Sequence, residues 1–142
     1  MEGVVGIGVD LVDVDRVAGL LERRRTAEAR LFTDDERTYC RAASPSAQRF
    51  AARFAAKEAV GKALGTGVVA WREIEVTGGG QPHVRLAGRT AQAASDLGVR
   101  RVELSLTHTA AHAAAVAVAV GGGAEPGPAD GLLRSPDLEA SP

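Results

Sequence analysis

From Ser46 to Leu64 no helix breaker intervenes except Gly61, and Phe50, Phe54, Val60 and Leu64 recur at helical spacing. The spacing predicts the longest helix of the chain. Ser44-Pro45-Ser46 ahead of it offers a cap and a first-turn proline, and Gly65 behind it suits a left-handed C-terminal cap. Small residues crowd the segment (Ala51, Ala52, Ala55, Ala56, Ala59, Ala63), so another element can approach it closely.

The rest of the chain is organised around that helix. Val4 to Val9 is a short apolar run with two glycines, expected as a buried strand ended by Asp10. Asp13 or Asp15 can cap a following helix with apolar positions Val14, Val17, Leu20 and Leu21. Thr33-Asp34-Asp35-Glu36 is a capping-box sequence opening a helix to about Arg41. After Gly65-Thr66-Gly67 the period changes: Glu73 to Val76 and His83 to Leu86 alternate as strands around the turn Gly78-Gly79-Gly80-Gln81-Pro82. Arg89 to Leu97 reads as a short helix, and Val102 to Thr107 and Ala113 to Val120 as two more strands. Helices early and strands late favour an α+β fold, helices packed on a small antiparallel sheet, over a doubly wound one.

Composition narrows the function. The 142 residues carry 17 Lys+Arg against 18 Asp+Glu, a net charge of −1, which argues against a protein that coats nucleic acid or an anionic membrane by bulk charge. The balance conceals an asymmetry. Residues 121–142 hold Glu125, Asp130, Asp137 and Glu139 against Arg134 alone, together with four of the six prolines, and are expected to form a disordered tail. The domain is then residues 1–120, and it is slightly basic. A single cysteine, Cys40, excludes an internal disulfide and a cysteine-based zinc site, so the expected compartment is the cytoplasm. No signal peptide is visible, and the apolar run Ala113 to Val120 is far short of the roughly 20 residues of a membrane helix.

Three segments can carry chemistry. Gly6-Ile7-Gly8-Val9-Asp10 puts a carboxylate at a strand end; Asp10 reads either as a functional group or as a helix-capping acid. The glycines are no dinucleotide fingerprint, because Leu11 stands where the third glycine belongs. In the long helix Glu58 and Lys62 share a face at i,i+4, which alone is compatible with a surface ion pair. Against that stand the bases Arg53, Lys57 and Lys62 around one acid, and a Gly-Thr-Gly loop whose amides could cradle a phosphate oxygen. Ser105-Leu106-Thr107-His108 invites a hydrolase reading, but there is no nucleophile elbow, and residues three apart on a strand face opposite sides. Two hard carboxylates, several bases and a glycine loop are together an inventory for magnesium-assisted phosphoryl transfer.

Taken together, Gly6 to Asp10 with Arg16, the run Phe50 to Gly67, and Ser105 to His108 resemble in order and spacing the signatures of the 4′-phosphopantetheinyl transferases, in particular the short bacterial holo-[acyl-carrier-protein] synthase type, over residues 3–120. The resemblance implies transfer of the 4′-phosphopantetheine arm of coenzyme A to a serine of an apo acyl carrier protein, releasing adenosine 3′,5′-bisphosphate. It implies Mg²⁺ on Asp10 and Glu58, with Lys62 neutralising phosphate charge. Glu58, directly or through a metal-bound water, would take the serine proton. Arg53, Gly65, Thr66, Gly67 and His108 would then lie along the nucleotide. A homotrimer with interfacial sites is also implied. Arg16, Arg23, Arg24 and Arg25 would form a strip for docking the acidic carrier. Gln81 before Pro82 departs from the lysine common there and weakens one phosphate contact. The competing readings are a non-catalytic module that binds carrier proteins or coenzyme A, and a metal-independent hydrolase using Ser105 and His108.

Overall fold

The computed structural model describes residues 2–122, and sets out β1 (Glu2–Asp13), α1 (Val14–Arg23), α2 (Ala27–Leu31), α3 (Asp34–Arg41), α4 (Ala47–Leu64), a 3-10 turn (Trp71–Glu73), β2 (Ile74–Thr77), β3 (His83–Leu86), α5 (Gly88–Asp96), β4 (Val99–His108) and β5 (His112–Gly122). β1, β5 and β4 form an antiparallel sheet in that order, with β5 in the middle; β2 and β3 form a separate hairpin. The fold is α+β, as the order of elements in the sequence predicts.

The crowding of small residues has a definite counterpart. α4 lies across one face of the large sheet so closely that a Cβ on Gly6 would stand 1.9 Å from the Ala63 carbonyl oxygen, and one on Gly8 would stand 2.0 Å from that of Ala59. Alanines on the helix and glycines on the strand are therefore one packing device. Ala115, Ala117 and Ala119 of β5 continue it, and all three are buried. A second cluster gathers Val14, Val17, Phe32 and Phe50 between α1 and the start of α4, with the Phe32 and Phe50 rings 5.0 Å apart.

The helix signals divide into those that act and those that do not. Thr33 and Glu36 form the expected capping box, each side chain accepting the other's amide at 3.3 and 2.9 Å. Gly65 ends α4 at φ 75°, in the left-handed region. Asp13 occupies the N-cap position of α1 without a side-chain cap; its carboxylate lies instead 3.1 Å from His112 Nε2 across the β1–β5 ladder. Ser46 likewise precedes α4 without a side-chain cap.

β1 corrects two expectations. It continues three residues past Asp10 to Asp13, because β5 pairs with it that far. Nor is it buried: Ile7, Val9 and Leu11 are 67 %, 60 % and 67 % exposed. β1 is an edge strand covered by α4 on one face only, so alternate side chains emerge on the other. At the far end β5 runs to Gly122, two residues beyond the expected domain limit, pairing with Glu2. The remainder of the expected tail, residues 123–142, lies outside the described residues.

Candidate active site

α4 lies along β1, and three of the expected residues converge near Asp10. Lys62 extends from α4 to the strand edge, donating to the Asp10 carboxylate at 3.1 Å and to the Val9 carbonyl at 2.9 Å. The Asp10 side chain is largely buried and that of Lys62 half exposed. Lys62 is thus committed to an acid on another element, and the i,i+4 surface pair with Glu58 is not among the ion pairs formed. Glu58 sits one turn before it. Burial raises the Glu58 carboxyl above its ordinary range, the neighbouring Asp10 charge raises it further, and Lys62 opposes both.

Of the three bases expected around Glu58, only Lys62 is there. The next residue in a helix is turned about 100° from its neighbour, which takes Lys57 off the Glu58 face. Its ammonium is fully buried against Glu36 and two backbone carbonyls. Arg53 is also buried, 4 % exposed, donating to the Gly78 carbonyl at 3.0 Å while its Nε finds no partner. Its guanidinium lies 3.9 Å from the centre of the Tyr39 ring, and Arg49 lies 4.1 Å from the same ring. Tyr39 and Arg49 are absent from the sequence reading. The spacing of Arg49 and Arg53, one turn apart, was the available signal for a shared aromatic partner.

The remaining expected residues are spread out. In the loop after α4 the amides of Gly65 and Gly67 already donate within the chain, to Lys62 and Gly61 at 3.0 Å each, so of the loop's three amides only that of Thr66 is left for a phosphate. The Thr66 hydroxyl donates to the Gly67 carbonyl at 2.7 Å. His108 is exposed at the end of β4, level with Val12 through their common partner Ala113, so the width of β5 separates it from the strand of Asp10. Arg16, Arg23, Arg24 and Arg25 are all exposed on and just after α1. Arg24 also lines a groove of about 800 Å³ together with Leu20, Arg30, Leu31, Trp71 and Arg72. Arg30 and Arg72 add to the basic strip and had no sequence signal of their own.

Among the described residues no three His, Cys, Asp or Glu side chains cluster as a metal cage. Asp10 and Glu58 are instead a pair that repel each other with one lysine between them in charge. That donor set suits Mg²⁺, which takes one or two carboxylates and fills its other positions with water and substrate phosphate oxygens.

Comparison with known proteins establishes the family. The model of the 4′-phosphopantetheinyl transferase superfamily matches residues 6–118. The chain is 48 % identical over 123 residues to the holo-[acyl-carrier-protein] synthase of Desulforudis audaxviator, covering 83 % of this chain and 94 % of that one. It is 48 % identical over 118 residues to that of Frankia casuarinae, covering 82 % and 97 %. Among solved structures it superposes on a holo-(acyl-carrier-protein) synthase from Bacillus anthracis in complex with coenzyme A (3′,5′-ADP) with a TM-score of 0.67 and 29 % identity, over 84 % of this chain and 98 % of that one.

Proposed function

The chain belongs to the 4′-phosphopantetheinyl transferase superfamily, and from that membership and its site we infer that it transfers the 4′-phosphopantetheine arm of coenzyme A to a serine of an apo acyl carrier protein, the activity of a holo-[acyl-carrier-protein] synthase. The observation that carries this at the level of residues is the convergence of Asp10 of β1 with Glu58 and Lys62 of α4.

The serine oxygen attacks the phosphorus attached to pantetheine; the bond from that phosphorus to the bridging oxygen breaks, and adenosine 3′,5′-bisphosphate leaves. Glu58 takes the serine proton, directly or through one water. A carboxylate whose pKa is raised by burial is a stronger base than an exposed one. Lys62, held toward Asp10, sets a fixed positive charge beside the pyrophosphate, where negative charge grows on the leaving group. Mg²⁺, bound by Asp10 and Glu58, would supply charge neutralisation of the pyrophosphate oxygens. Arg53, buried under Tyr39 with an unpartnered Nε beside the Gly78 turn, would serve the nucleotide end, and Thr66 would contribute the loop's remaining amide.

A complete site draws on a second copy of the chain. Ile7, Val9 and Leu11 with Val116 form an apolar face on the side of the sheet away from α4, bordered on β4 by Arg101, which pairs with Glu2 and Glu103. Such a face on an edge strand favours association. Because β5 separates His108 from Asp10 within one copy, a trimer would supply His108 across the interface. Docking of the acidic carrier falls to Arg16, Arg23, Arg24 and Arg25. No helix among the described residues is long and apolar enough to cross a membrane.

The test is direct. Purified protein with Mg²⁺, coenzyme A and an apo carrier should give carrier heavier by one phosphopantetheine arm in mass spectra. Absence of that mass on every carrier tried refutes the activity. Turnover that survives chelation of the metal refutes the assignment of Asp10 and Glu58.

A further inference from the structure

The Lys57 ammonium is entirely buried one residue before Glu58, yet takes no part in the site. It donates to the Leu31 carbonyl at the end of α2 (2.7 Å), to the Trp71 carbonyl in the 3-10 turn (3.0 Å) and to the Glu36 carboxylate. An ammonium has three donors, and all three are used. Glu36 is equally committed, accepting from the Thr33 amide through Oε1 and from the Val76 amide through Oε2, each at 2.9 Å. Burial pushes the Lys57 ammonium below its ordinary range while Glu36 opposes the shift. Desolvation offsets much of the attraction in buried ion pairs generally, so the charge of the pair is weak evidence of stability, and its geometry is the better account of it.

That geometry concerns the groove beside α1. Leu31 and Trp71 stand on its two walls, one formed by α1 and α2 and the other by residues 69–72. α2 has five residues and the 3-10 turn three, too few for either to hold its place by internal hydrogen bonds. α4 is the rigid partner, since Gly6 and Gly8 lock it on the sheet. Lys57 ties both short walls to it from below. Arg72 makes a second tie at the rim, donating to the Ala29 carbonyl at 2.9 Å. Arg24, Arg30 and Arg72 surround an interior of Leu20, Leu31 and Trp71, a combination that complements an acidic surface with an apolar centre.

We propose that Lys57, with Glu36 as its counter-charge, is a positioning residue for recognition of the carrier protein, setting the separation of the Leu31 and Trp71 walls against which the carrier seats. The proposal rests on the transferase reading above. Lys57 acts through the walls and touches neither coenzyme A nor the reacting atoms.

The test is the full-length double variant Glu36→Gln/Lys57→Met, which removes both charges together and leaves neither alone in the core. The KM for apo carrier should rise about tenfold, equivalent to about 1.4 kcal/mol. The KM for coenzyme A and kcat at saturating carrier should stay within about twofold, because α4 is held from the sheet side. Emission from Trp71, the one tryptophan, should report the displaced wall. An unchanged carrier KM, or equal changes in both KM values and kcat, overturns the proposal. If circular dichroism shows the double variant unfolded, Arg72→Ala replaces it. Its rise in carrier KM should persist in high salt, where the effect of a lost surface charge is screened; no rise, or one that vanishes with salt, overturns the proposal. Wild-type protein that modifies no carrier refutes the transferase reading itself, so the two failures are distinct.

Discussion

Gly8→Ala tests whether the site depends on how closely β1 lies against α4. The added Cβ would stand 2.0 Å from the Ala59 carbonyl oxygen and 2.8 Å from the Ala63 amide nitrogen. Both are helix backbone, so no side-chain rotation relieves the clash, and strand and helix must separate by roughly 1 Å or more to reach ordinary contact. Overpacking of this kind costs about 1–3 kcal/mol, and with backbone on both sides the upper end applies. For a domain of this size that lowers the melting temperature by roughly 10 °C. The functional loss should be larger. Asp10 is two residues along β1 and Glu58 is adjacent to Ala59, so the same 1 Å separates the two carboxylates; misplacement of that size can cost about 100-fold in rate. Thermal melting and a mass-spectrometric rate of carrier modification measure both effects. Gly3→Ala is the control, since a Cβ there meets nothing within 4 Å. Gly8→Ala protein that melts and turns over like wild type would refute the argument that close packing sets the site.

Asp10→Asn and Glu58→Gln should each abolish Mg²⁺-dependent transfer with the far-ultraviolet dichroism unchanged; near-normal rates in both would remove the metal assignment. Glu58 also predicts a stability effect of definite sign. Its carboxyl is raised in the folded chain, by burial first and by Asp10 second, so the folded state binds that proton more tightly than the unfolded state does. The resulting penalty is absent below the ordinary carboxylate range and complete above the raised value. Glu58→Gln should therefore be more stable than wild type at neutral pH, with the advantage disappearing in acid denaturation curves; an advantage only in acid would contradict the assignment. Reversal of Arg23, Arg24 and Arg25 to Glu should raise the carrier KM and flatten its salt dependence without changing the KM for coenzyme A, measured in the same assay. Val9→Glu, on the exposed face of β1, should shift the protein to monomers in sedimentation, and an unchanged assembly would place the interface elsewhere.

The elements legible in the sequence are those whose cause is local. The capping box at Thr33 and Glu36, the left-handed Gly65 and the alternation of β2 and β3 each follow from a few neighbouring residues, and each is present. The destinations of the charges were not legible, because each is decided by a distant partner. Lys62 turns away from Glu58, four residues off, to an aspartate 52 residues away. Lys57 turns to a glutamate 21 residues away. A helix that is buried nearly all round has no single apolar stripe, so periodicity could establish that α4 is a helix but not which way its bases point. The same limit explains β1. Apolar residues on both faces read as a buried strand whether the second face is covered by the chain itself or by another copy. Gly6 and Gly8 therefore mark the intramolecular contact, while Ile7, Val9 and Leu11 between and beyond them mark the face that the chain itself leaves uncovered. Asp10 is carried by that same strand, so the close fit to α4 positions its carboxylate, and association through the opposite face would hold the same strand from its other side.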